Sequence, residues 1–109
     1  MRVLVSDIGG TNARFAIAEL KRSAPLLHDS VREYPAADFA GAAEAARHFL
    51  DELGERAEAA VFAVAGRVRS EEAQITNHPW QIRAPEIGAA LGTPRVALIN
   101  DFAAQAMAI

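Results

Sequence analysis

The sequence predicts an α/β protein, with a mixed sheet led by a β-hairpin and flanked by helices. Three observations carry that expectation. Two apolar runs near the N-terminus are separated by Gly9-Gly10, the turn chemistry of an antiparallel hairpin. Further on, strand-like and helix-like segments alternate. Proline and glycine punctuate the helices where their periodicity starts and stops.

Val3 to Asp7 reads as a buried strand and Phe15 to Leu20 as its hairpin partner. A third strand is expected at about Leu27 to Tyr34, after the break at Ser23-Ala24-Pro25. Asp38 then opens a helix, with Phe39, Ala42, Ala46, Phe49, Leu50 and Leu53 on one stripe and Gly54 as its stop. Ala59 to Ala65 is a continuous apolar run, suited to a strand buried on both faces. A further strand is expected between Val68 and Thr76. Pro85 and Gly92 bracket a short helix, Val96 to Ile99 is another buried strand, and Asp101 starts a last helix. That helix runs through Phe102 to Ile109, uncharged and without a stop signal, which predicts a fragment ending inside a helix.

The totals exclude several classes. The 109 residues suffice for one modest domain. A net charge of −3, spread along the chain, argues against a nucleic-acid surface. The absence of cysteine rules out disulfides and thiolate metal sites. No apolar run approaches the length of a membrane span, and the N-terminal run is too short for a signal peptide, so a cytoplasmic location is expected.

The stretch Asp7-Ile8-Gly9-Gly10-Thr11-Asn12-Ala13-Arg14 carries the strongest chemistry. Glycines leave main-chain N–H groups uncovered, so that they can point at phosphate oxygens. Thr11 and Asn12 add side-chain hydrogen-bonding groups. Asp7 repels phosphate directly but suits a position near a Mg²⁺ ion that bridges the phosphates. Neither of the two better-known glycine-rich phosphate motifs is present. The bland alternative is an ordinary hairpin turn, for which Gly-Gly is common.

A second site candidate is Asn100-Asp101, delivered by Val96 to Ile99 to the carboxyl end of a strand, where ligand crevices open in α/β sheets. A carboxylate there can take the proton of an attacking hydroxyl, and Asn100 offers both donor and acceptor. The alternative is helix capping, which Asp performs well. A third cluster is Thr76-Asn77-His78-Pro79-Trp80. Trp80 suits either the wall of a ligand site or the core, and the core is favoured for a lone tryptophan. Asn77 is a weaker candidate for a supporting role beside such a site. His78 lacks a partner histidine and reads as a loop residue.

D-I-G-G-T-N-A-R resembles the first phosphate motif of the bacterial glucokinases, sugar kinases of the hexokinase–actin superfamily. I-N-D-F-x-A and T-N-x-x-W are similar to two further patterns of that family, in the same order. Arg67, after Ala63-Val64-Ala65-Gly66, departs from it, because members usually carry proline there. The resemblance implies the small lobe of a ribonuclease-H-like fold, with residues 1–109 as the N-terminal domain and the C-terminal lobe absent. It implies phosphoryl transfer from ATP, with Mg²⁺, to the 6-hydroxyl of glucose, the first step of glycolysis. Asp101 would be the catalytic base and Asn100 a sugar contact beside it. Ser6, Asp7, Ile8, Gly9, Gly10, Thr11 and Asn12 would form the ATP-phosphate hairpin. No protein residue is expected to bind metal directly. The expected partners are glucose and ATP, with neither nucleic acid nor membrane, and the resemblance admits a homodimer for the complete protein. The isolated fragment is not expected to be an efficient kinase. Competing readings are a kinase for a related hexose, a sugar-binding regulator of the repressor–kinase family, and an actin-like nucleotide-binding module without a sugar.

Overall fold

The computed structural model describes residues 1–9, 11–19, 26–69, 71–75 and 80–100. Three strands open the chain: β1 (Arg2–Ile8), β2 (Asn12–Glu19) and β3 (Leu26–Pro35). A short 3₁₀ turn over Ala36–Asp38 leads to α1 (Ala42–Leu53) and β4 (Ala59–Val64). Three short strands follow, β5 (Gly66–Arg69), β6 (Glu72–Ile75) and β7 (Gln81–Arg83). The described elements end with α2 (Ala84–Leu91) and β8 (Arg95–Asn100).

The main sheet has five strands in the order β3-β2-β1-β4-β8. β1 and β2 form the expected antiparallel hairpin, whereas β4 and β8 run parallel to β1. The fold class is therefore as the sequence predicts: a mixed sheet led by a hairpin, with helices packed on it. Among the described residues, no helix is long and apolar enough to cross a membrane.

Strand alternation explains which face receives the helices. Leu4, Ser6 and Ile8 point to one side of β1, level with Ile17, Phe15 and Ala13 on β2 and with Ala60, Phe62 and Val64 on β4. This face joins Phe49 and Leu50 of α1 and Ile87 of α2 in one core. Phe15 stacks on Phe49 at 5.5 Å between centroids and meets Phe62 edge-on at 6.2 Å. All three rings are fully buried, so truncating one to alanine would cost about 3–5 kcal/mol.

Helix ends follow local chemistry closely. Gly54 closes α1 in the left-handed conformation (φ 65°), and its N–H is directed to the carbonyls of Asp51 and Leu50. Pro85 lies in the first turn of α2, and Gly92 ends it at φ 69°. The run of β4 is buried at five of its six residues, the sixth being half-buried, as expected of a strand between two neighbours.

Four expectations require correction. α1 starts at Ala42 rather than Asp38, with Gly41 as its N-cap. Phe39 is extended, its ring meets Tyr34 and His48, and its carbonyl accepts from the Trp80 indole at 3.3 Å. A carbonyl used in this way is diverted from a helical ladder. The single strand expected over Val68 to Thr76 is instead two, β5 and β6, which form a separate antiparallel sheet with β7. β2 begins at Asn12, earlier than the Phe15 expected, because Asn12 to Arg14 pair with Pro35, Tyr34 and Glu33 of β3 on the flank of β2 away from β1. Among the described residues β8 is an edge strand of the main sheet, with Arg95 and Ala97 exposed, rather than the buried strand expected. The last helix, from Asp101, lies outside the described residues.

Candidate active site at the carboxyl ends of the parallel strands

Because β1, β4 and β8 are parallel, their carboxyl ends reach the same edge of the sheet. The register aligns Ile8 with Val64 and Val64 with Asn100. Past this row lie the glycine turn after β1 and the Ala65-Gly66 link after β4, and Asn100 in the row ends β8. Residues remote in sequence thus meet at one rim.

Main-chain bonds hold that rim. The N–H of Gly9 donates to the Asn12 carbonyl at 3.0 Å, closing the hairpin mouth. The N–H of Ala36 donates to the Thr11 carbonyl at 2.8 Å, and that of Ala65 to the Ile8 carbonyl at 3.1 Å. The turn is thereby braced from both neighbouring segments. A Cβ built on Gly9 would find no atom nearer than the Asn12 carbonyl oxygen, at 3.9 Å. Among the described residues, no atom crowds the Cβ position of Gly9.

The hairpin residues divide into two groups. Asp7, Thr11 and Asn12 are exposed, so their side chains are available at the rim. Ser6 and Ile8 face the core, and Ile8 is fully buried. The Ser6 hydroxyl is enclosed and has no hydrogen-bond partner among the described residues. Asp7 sits opposite Arg14 in register, but Arg14 pairs with Glu33 at 3.1 Å.

Asn100 is exposed, and its Nδ2 donates to the Gly66 carbonyl at 2.8 Å. This bond ties the last residue of β8 to the first of β5. Sequence reasoning did not find it, although the glycine at the end of the A-V-A-G run was the available signal. Trp80 is core, 3% exposed, in keeping with the favoured expectation. Gly10, Asp101, Thr76, Asn77 and His78 lie outside the described residues. No group of three or more His, Asp or Glu among the described residues could hold a metal ion.

A family model for glucokinase matches residues 4–109. The chain is 59% identical over 107 residues to a glucokinase of Stenotrophomonas maltophilia strain K279a, covering 98% of this chain and 32% of the relative. A glucokinase of Xanthomonas oryzae pv. oryzae is 58% identical over the same length, with the same coverage of each chain. Among solved structures, a glucokinase from an Antarctic psychrotroph superposes with a TM-score of 0.80 at 34% identity, over 94% of this chain and 33% of that one. A glucokinase from Balamuthia mandrillaris, in complex with glucose, gives 0.63 at 27% identity, over 93% and 30%. The hairpin-led sheet with its rim of glycine turn and strand ends is thus that of the sugar kinases of the actin-like fold. Within that class, the chain belongs to the glucokinase family. It spans about a third of the length of the curated relatives it matches.

Proposed function

We propose that this chain is the phosphate- and sugar-contacting part of an enzyme that phosphorylates glucose with ATP. The observation that carries the reading is the row Ile8–Val64–Asn100, which brings the glycine turn and the Asn100 strand end to one rim. Phosphate oxygens would take hydrogen bonds from main-chain N–H groups of the turn that follows Gly9 and from the side chains of Thr11 and Asn12. Asn100 would orient the sugar, and Asp101, the next residue, would be the base.

In the proposed reaction the 6-hydroxyl oxygen of glucose attacks the γ-phosphorus of ATP. The bond from that phosphorus to the β-bridging oxygen breaks, ADP departs, and the hydroxyl proton passes to the Asp101 carboxylate. Asp7, exposed at the end of β1, is a single carboxylate beside the turn. A lone carboxylate suits a Mg²⁺ ion that arrives with ATP and keeps most of its ligands from phosphate and water. When bound, such an ion neutralises developing phosphate charge. The product sugar phosphate would enter glycolysis in the cytoplasm.

The test is Asp101→Asn in the full-length protein, read by glucose-dependent ATP consumption. Asparagine caps a helix about as well as aspartate, so the capping alternative expects little change. The base assignment expects near-normal thermal stability and a fall in turnover of about 10²-fold or more. Wild-type turnover in this variant would remove Asp101 from the chemistry.

A further inference from the structure

The exposed face of the small sheet carries a pattern that the proposed reaction does not use. The register places Arg67, Gln74 and Gln81 in one row across β5, β6 and β7, and Arg69, Glu72 and Arg83 in the next. All six side chains point outward, while Val68, Ala73 and Ile82 point inward. A shallow depression of about 340 Å³ lies over this face, lined by Arg67, Arg69, Glu72, Ala73, Gln74 and Gln81.

The charges on the face are unevenly paired. Glu72, opposite Arg69, is engaged by Arg83 at 3.3 Å, and Arg83 also reaches Glu86 at 3.2 Å. Arg67 and Arg69 have no carboxylate within ion-pairing distance among the described residues, and neither do Arg56 and Arg95, whereas Arg2, Arg14, Arg32, Arg47 and Arg83 all do. Of these four, Arg67 and Arg69 lie two apart on one strand and share its exposed face. Gln81 accepts from Arg83 at 2.9 Å through its oxygen, which leaves its amide N–H groups as donors, while Gln74 donates one amide N–H to the Trp80 carbonyl at 3.5 Å and keeps the other. Arg67 is also the residue that stands where the family resemblance expects proline.

We propose that this face is a binding site for a phosphate monoester or free phosphate dianion, held between Arg67 and Arg69 with amide donors from Gln74 and Gln81. Alternate residues of a strand lie roughly 6.8 Å apart, a span over which two long side chains converge on one tetrahedral anion. Guanidinium groups present paired N–H donors that match phosphate oxygens. The neutral amides beside them add donors without adding charge, and the depression favours a compact ligand over a broad acidic protein surface. The lining of the depression shares no residue with the proposed catalytic rim, although Arg67 directly follows Gly66.

The experiment uses the full-length protein with glucose and a non-hydrolysable ATP analogue present at saturation, so that the glycine turn is occupied. Inorganic phosphate and glucose 6-phosphate are titrated separately by phosphorus NMR. Saturable binding is expected, with free phosphate and the sugar phosphate distinguished by which binds more tightly. The Arg67→Gln, Arg69→Gln double variant should weaken it about tenfold or more. Gln74→Glu, which sets a carboxylate in the same row, should have the same effect and serves as the independent variant if the double variant folds poorly. Absence of saturable binding to the wild type, or equal binding by these variants, overturns the site. A change in sedimentation or melting temperature with phosphate binding unaltered would also overturn it, in favour of a protein contact on this face.

Discussion

The Nδ2 of Asn100 donates to the carbonyl oxygen of Gly66 at 2.8 Å, and this bond fastens the end of β8 to the start of β5. It also sets the plane of the Asn100 amide at the rim where the parallel strands finish. Asn100→Asp keeps the size but opposes a carboxylate to that carbonyl. In the full-length protein we expect the KM for glucose to rise about tenfold or more, because a buried or oriented hydrogen-bonding partner is worth on the order of 1.5 kcal/mol. Thermal stability should fall by no more than about 1 kcal/mol, since the bond is solvent-exposed. An unchanged KM would show that the amide does not orient the sugar.

Two glycines separate ligand access from folding. An added Cβ at Gly9 meets nothing within 3.9 Å, whereas at Gly88 it meets the Thr93 carbonyl oxygen at 2.7 Å. Gly88→Ala should lower stability by about 1–3 kcal/mol through overpacking, a loss larger than the ~1 kcal/mol gained in helix propensity. Gly9→Ala should leave the melting temperature near that of the wild type and raise the KM for ATP, because the methyl group covers main-chain N–H groups. Early melting of Gly9→Ala would mean that the fold itself requires this glycine.

Ser6 offers a test in the opposite direction. Its hydroxyl is buried level with Phe15 and Phe62 and has no hydrogen-bond partner among the described residues. A buried unsatisfied hydroxyl is destabilising by about 1–3 kcal/mol. Ser6→Ala should therefore raise stability, by about 1 kcal/mol after the small loss of packing, as read from a chemical denaturation midpoint. A drop in stability would show that the hydroxyl is satisfied.

Tyr34 supplies a pH dependence. Its hydroxyl donates to Glu52 at 2.9 Å, and its pKa is pushed up to about 12 from 10.0, first by burial and then by the bond to Glu52. The folded chain therefore holds this proton more tightly than the unfolded chain. The resulting stabilisation is complete below pH 10 and is lost as the pH rises toward about 12. Subtracting the pH profile of Tyr34→Phe from that of the wild type should isolate a decline confined to that window. A flat difference across it would contradict the Tyr34–Glu52 contact.

What the sequence by itself determined was set by interactions between near neighbours in the chain. Gly9 and Gly10 announced the hairpin, Gly54, Pro85 and Gly92 marked helix ends, and the unbroken apolar run of β4 declared a strand buried on both faces. Turn chemistry, capping and periodicity act over a few residues, so they can be read without a partner. The small sheet could not be read in this way: Arg67-Val68-Arg69, Glu72-Ala73-Gln74 and Gln81-Ile82-Arg83 each alternate, but three residues specify no register until they pair. Only the tertiary structure decided that β8 is an edge, that α1 waits until Ala42, and that Asn100 is fastened to Gly66. Each of these depends on a group remote in sequence that competes for a backbone carbonyl or occupies one flank of a strand. The motif order carried the family resemblance, and parallel strand pairing brought the glycine turn and Asn100 to one rim.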